Sequence, residues 1–210
     1  MSAAPAWLGP GWAARLGLFR RGEAVTLACE LCGAPMARAH PHLLDTREDE
    51  VVCACPACAE HAGNRPRSHY RPLPSQAEVL SRLEVTGADW AALEVPIGLA
   101  FFLRREAGAP VVALYPGPTG LTESHPDPES WAGIETRNPG LRDMAPGTEA
   151  AVISMLDDRP RAFRLPADRC YALAGEIRSR WDGLGGGAGT WARVRGFLDQ
   201  LDREVERCRG

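Results

Sequence analysis

The chain has 210 residues, 45% of them apolar and 24% charged, with a formal net charge of −3. That size and balance fit a soluble protein with one sizeable core, or a small module attached to a medium one. The slight acidity argues against a general nucleic-acid binder, and stretches such as "IGLAFFL" and "AAVISML" are too short to span a bilayer.

Residues 1–24 carry Pro5, Pro10 and several glycines and read as a flexible N-terminal arm with a short amphipathic helix. They lack the early basic region and long apolar core of a signal peptide, so a cytoplasmic location is expected. Reducing conditions there disfavour stable disulfides. The odd total of seven cysteines also fits a metal site better than a closed disulfide framework.

Residues 25–60 form a Cys-rich module. Cys29-Glu-Leu-Cys32-Gly33 and Cys55-Pro-Ala-Cys58 are paired CxxC turns. Two such turns bring four thiolates into a tetrahedron, and Gly33 permits the close approach of backbone N–H groups to sulfur. The intervening "LLDTREDEVVC" reads as strand, acidic turn, strand, which folds the second turn onto the first as in zinc ribbons and rubredoxins. The expected ligands are therefore Cys29, Cys32, Cys55 and Cys58. A closed four-thiolate set suits structural zinc. A single iron or an iron–sulfur cluster is the alternative.

Cys53 lies two residues before Cys55, so in a continuous strand both face the same side. That places a fifth thiol beside the clamp, as a small buried side chain, a substitute ligand or a redox-active thiol. His40 and His42 form an HxH that shares a face if extended. They are candidate additional ligands, against the plainer reading of a solvated loop or a histidine bonding to backbone.

Residues 61–74, with Arg65, Arg67 and Arg71, read as an aperiodic linker, and residues 75–210 as an α+β domain. "SQAEVLSRLEV" opens with a Ser75/Glu78 capping-box pattern and predicts a helix. "GADWAALEV" predicts a second helix, ending before Pro96. "PIGLAFFL" and "PVVALYP" predict a hairpin around Gly108. The polar turn "TESHPDPES" leads into a helix over "ESWAGIETR". "AAVISML" and "RAFRLP" predict a second hairpin, and two amphipathic helices close the chain. The pattern is α+β: antiparallel hairpins with helices on one face, plus a small N-terminal zinc-ribbon-like module.

Other chemistry is sparse. "DGLGGGAGTW" lacks the Lys-Ser/Thr of a P-loop and reads as an inter-helix connection with Thr190 as N-cap. There is no GxSxG elbow, no HExxH and no persuasive carboxylate pair, so no catalytic residue is assigned.

The phrases "CELCGAP", "HPHLLD", "CACPAC", "YRPLP", "LEVPIGLAFF", "YPGPTGLTES", "CYALAGEIRSRWDGLGGG" and "TWARVRGFLDQL" extend over most of the chain. Together they resemble an uncharacterised actinobacterial family, a domain of unknown function often encoded beside uptake NiFe-hydrogenase genes. The resemblance implies a neighbourhood of hydrogenase assembly, electron transfer or complex formation, and it adds weight to Cys53, His40 and His42. The resulting expectation is a non-enzymatic, metal-binding accessory protein whose partner is a NiFe-hydrogenase or its maturation machinery. The alternative is a rubredoxin-like iron or iron–sulfur electron-transfer protein.

Overall fold

The computed structural model describes residues 27–209 apart from 81, 82, 118, 119, 158, 159 and 184. The arm expected over residues 1–24 lies outside the described residues. The chain divides into two compact units between Ser75 and Gln76.

The N-terminal unit opens with a two-stranded ribbon, β1 (Leu27–Ala28) with β2 (Pro35–Met36). Strands β3 (His42–Asp45) and β4 (Glu50–Cys53) follow as an antiparallel pair around the acidic turn. Helix α1 (Pro56–Asn64) comes next, then β5 (Tyr70–Pro72), which pairs with the other edge of β3. Residues 61–74 are therefore not an aperiodic linker: they hold the end of α1 and the third strand of the sheet β4-β3-β5. The pairing of β5 with β3 is non-local, and "YRP" has no alternation of its own to announce it. The core of this unit is small. Cys29, Leu43, Ala54 and Ala62 are its buried centre, with Leu31, Met36, Val52 and Tyr70 half-buried around them.

The C-terminal unit is built on one six-stranded antiparallel sheet in the order β6-β11-β10-β7-β8-β9. Its strands are β6 (Glu78–Val79), β7 (Leu99–Leu103), β8 (Val112–Gly117), β9 (Gly120–Ser124), β10 (Glu149–Ser154) and β11 (Arg161–Pro166). Both expected hairpins form, β7 with β8 and β10 with β11. After β9 the chain returns through α3 (Pro128–Arg137) and the single turn α4 (Pro139–Arg142), so that β10 pairs with β7. Asp127 caps α3 by accepting from the Ser130 backbone N–H at 2.9 Å, and Pro128 occupies the first turn.

Helices cover both faces of this sheet rather than one. Ala100, Phe102, Ala113, Ala151 and Ile153 form one face, packed with Leu93, Trp131, Ile134 and Leu141. Leu93 is the residue after α2 (Gly87–Ala92), and the other three belong to α3 and α4. Phe102 and Trp131 stack with ring centroids 4.8 Å apart. Alternation sends Leu99, Phe101 and Leu103 to the opposite side. There α5 (Ala167–Arg180) packs on the sheet, and it pairs with α6 (Gly187–Arg209). All five residues of β7 are buried, which a strand with one wet face cannot achieve.

Two local expectations fail at the edges of this sheet. The helix predicted from Ser75 does not form; Glu78 and Val79 pair with Arg164 and Phe163 of β11 instead. Glu78 also makes an ion pair with Arg164, so tertiary pairing overrides the capping-box pattern. Thr122–Ser124, expected in a polar turn, belong to β9.

The glycine-rich connection is wrapped on two tryptophans. The Trp181 and Trp191 indole N–H groups donate to the carbonyls of Gly183 and Gly185 at 2.9 and 2.8 Å. Thr190 lies inside α6 rather than capping it, and its hydroxyl donates to the Arg180 carbonyl.

Candidate metal centre

The first CxxC turn grows out of the β1–β2 ribbon. The Cys29 N–H donates to the Ala34 carbonyl at 2.8 Å, and the Gly33 N–H returns to the Cys29 carbonyl at 2.7 Å. Gly33 has φ +76°, a left-handed conformation that closes the knuckle and that side-chain-bearing residues adopt at a cost. The second turn is the start of α1. Cys55 is its N-cap, and the Cys55 sulfur accepts from the Cys58 N–H at 3.4 Å. Pro56 follows in the first turn, where a missing N–H costs nothing. The helix N-terminus thus directs backbone N–H groups toward sulfur.

These two turns bring the Sγ atoms of Cys29, Cys32, Cys55 and Cys58 within 4.8 Å of one another. Cys32 Sγ lies 3.8 Å from Cys55 Sγ. A tetrahedral ion with metal–sulfur bonds of 2.3 Å sets sulfur atoms about 3.8 Å apart, so the donor set fits a single thiophilic ion. An iron–sulfur cluster places several irons and sulfides between the cysteines and needs the sulfurs farther apart. None of the four is tied up in a disulfide.

The thiols also interact electrically. Burial pushes the Cys29 thiol up, but N–H groups of Cys55, Leu31 and Cys32 and the Cys32 thiol outweigh it and bring Cys29 down to about 6. Hydrogen bonding with Cys32 and Cys55, then burial and the neighbouring Cys29 charge, push Cys58 up to about 12. Cys29 is thus favoured as the thiolate, while Cys58 beside it resists ionising. A bound cation removes that conflict, because all four sulfurs then face positive charge.

A family model, Family of unknown function (DUF5947), matches residues 28–205. The chain belongs to this family. The match reaches from the first knuckle to the last turns of α6, so the DUF5947 region includes the four thiols and the six-stranded sheet. No curated protein and no solved structure matches the chain.

Cys53 groups with the two histidines rather than joining the four-thiol group. Strand β4 ends at Cys53, and Cys55 already belongs to the start of α1, so the two-residue alternation does not carry across. Instead Cys53 stands opposite His42 in the β3–β4 ladder. The ligand atoms of His40, His42 and Cys53 lie within 4.8 Å of one another. The two histidines have their Nε2 atoms 3.1 Å apart, and His40 Nδ1–H also bonds to backbone, at the Ala37 carbonyl, as the plainer reading allowed.

Glu30, which no motif marks in the sequence, joins the two groups. It sits inside the first CxxC turn. Its backbone N–H donates to the Cys53 carbonyl at 2.9 Å, and its carboxylate accepts from the Cys53 N–H at 2.5 Å. Its position inside CxxC offered no signal of this, because the contact depends on where β4 ends. Beside Cys58 a shallow groove opens, lined by Leu31, His61, Arg65, Arg67 and Tyr70.

Proposed function

We propose that this DUF5947 protein is a non-enzymatic accessory or interaction protein whose N-terminal unit is stapled by a structural zinc ion on Cys29, Cys32, Cys55 and Cys58. The observation that carries this is the four-thiol group, with a 3.8 Å sulfur–sulfur edge, inside a unit with a very small core. A module this small cannot hold itself together by apolar burial alone, and metals are a standard remedy. Zinc is preferred because the ligand set is closed and thiolate-only.

The α+β unit supplies the partner surface, and the groove of Arg65 and Arg67 beside Cys58 supplies a basic contact for an acidic partner segment. The partner is proposed to be a NiFe-hydrogenase or its maturation machinery, on the strength of the phrases shared with a family encoded beside those genes. The cytoplasm is the proposed location. Among the described residues, no helix is long and apolar enough to cross a membrane.

A second reading is a rubredoxin-like iron centre that passes electrons. Cys32 is exposed, so one edge of the centre is within reach of a docked redox partner. Elemental analysis and an absorption spectrum on anaerobically purified protein separate the two. One zinc per four-thiol site in colourless protein supports the structural staple. Red protein with one iron supports electron transfer. Absence of stoichiometric metal, with a melting temperature unchanged by chelation, overturns both. Binding of the purified protein to a purified hydrogenase, measured by calorimetry, tests the partner.

A further inference from the structure

We propose that His40, His42 and Cys53 form a second, separate metal site that takes a borderline divalent cation such as zinc and leaves one coordination position open. The site does not depend on the four-thiol reading, since it shares no ligand with it.

The argument begins with placement. His40 precedes β3, His42 is its first residue, and Cys53 is the last residue of β4. His42 and Cys53 are directly opposed in the antiparallel ladder. The Ala54 N–H donates to the Pro41 carbonyl, while the Cys53 N–H is taken by Glu30. His42 and Cys53 are therefore a non-hydrogen-bonded pair, the type whose side chains approach most closely.

The ring geometry fits coordination. His40 Nδ1–H donates to the Ala37 carbonyl at 3.0 Å, which leaves the Nε2 lone pair of the neutral ring facing the site. A backbone carbonyl on the far nitrogen is the usual support of a metal-bound histidine. The Nε2 atoms of His40 and His42 lie 3.1 Å apart in a hydrogen bond that His42 Nε2–H donates, with the rings nearly perpendicular at 79°, so an ion binds once His42 moves that proton to Nδ1. Two nitrogens on one tetrahedral ion at 2.0–2.1 Å sit about 3.3–3.4 Å apart, so the nitrogens themselves need only a small outward shift.

The donor set then identifies the ion. Two imidazole nitrogens and one thiolate suit zinc or a similar borderline ion and suit magnesium or calcium poorly. Three protein ligands with an open fourth position are the pattern of zinc sites that bind an exchangeable ligand, unlike closed structural sites. All three side chains are partly exposed, which gives that ligand access. The backbone that carries His42 and Cys53 is held from both sides, by Pro41 with Ala54 and by Glu30 with Cys53, before any ion arrives.

Cobalt(II) titration of the full chain under anaerobic conditions tests the proposal, because cobalt reports both stoichiometry and the number of thiolate ligands. Two equivalents per chain are expected. The first carries the intense charge-transfer bands of four thiolates, and the second the weaker bands of one. Azide should change only the second spectrum. The His40→Gln/His42→Gln double variant should bind one equivalent and keep the four-thiolate spectrum. If substitution within β3 prevents folding, His40→Gln alone, ahead of the strand, carries the same test. A single equivalent in the unaltered protein with only the four-thiolate spectrum would overturn the proposal. So would two equivalents in the double variant, and an azide-insensitive second spectrum would overturn the open position. Failure of the four-thiol reading looks different: the weak, one-thiolate spectrum would then appear alone.

Discussion

Cys32→Ser isolates the role of the metal in the N-terminal unit. Cys29 is a poor choice for this, because it is only 2% exposed and its serine variant would also bury a hydroxyl, at about 1–3 kcal/mol. Cys32 is exposed, so serine there costs the metal-free chain almost nothing, and any destabilisation reports the lost ligand. At roughly 0.05–0.15 kcal/mol per residue, the net stability of a folded unit of this size, metal included, is about 2–7 kcal/mol. Structural zinc supplies an apparent 10–16 kcal/mol in small zinc-dependent domains, on the order of 10 kcal/mol, which exceeds that whole margin. Loss of one ligand is therefore expected to unfold residues 27–75 while the larger, separately cored sheet unit stays folded. Hydrogen exchange read by mass spectrometry reports the two units as separate peptides. Peptides within 27–75 should lose protection in Cys32→Ser or on chelation, and peptides from β7, β10 and α5 should not. Undiminished protection across 27–75 in the variant would show that the unit stands without its clamp and would refute the reasoning.

Trp131 and Phe102 provide a packing test: Trp131→Ala removes a 3%-exposed ring from a stacked pair and should cost about 3–5 kcal/mol in denaturant unfolding. Trp131→Phe should cost far less. The indole N–H has no hydrogen-bond partner among the described residues, so its removal relieves a buried polar group. Equal costs for the two variants would contradict this. Thr86 and Asp89 cap α2 reciprocally, and hydrogen bonds from the Thr86 backbone and hydroxyl, helped by Arg137, hold the Asp89 carboxyl below its ordinary 3.8. A lowered folded value means the stabilisation is present above 3.8 and is lost as the pH falls through the lowered value. The stability gap between the unaltered protein and Asp89→Asn should accordingly be full at pH 6 and close in strong acid. A gap independent of pH would rule out this origin. Cys170 is fully buried on α5, and burial raises its thiol well above the ordinary range. Iodoacetamide should leave it unlabelled in the folded protein and label it after denaturation; rapid native labelling would place it elsewhere.

The parts of this protein that the sequence determined by itself are those written in local spacing. Cys29, Cys32, Cys55 and Cys58 were legible because a CxxC turn needs only its own residues to aim two sulfurs one way. The acidic turn between β3 and β4 then folds one knuckle onto the other. The hairpins β7–β8 and β10–β11 and helices α3, α5 and α6 were legible for the same reason, since period and turn residues are short-range. Even the burial of both sheet faces was latent in the unbroken apolar run "LAFF". Tertiary structure alone decided what depends on register and on where an element ends. Glu78 left its helix signal to pair with β11, and "YRP" became a strand because β3 had a free edge. Cys53 shows the reason most clearly. Read as a continuous strand it belongs with Cys55; but β4 stops at Cys53, and the ladder sets it opposite His42, beside His40. No spacing rule links positions 40, 42 and 53, because their meeting is fixed by backbone pairing between strands and not by any residue's own neighbours.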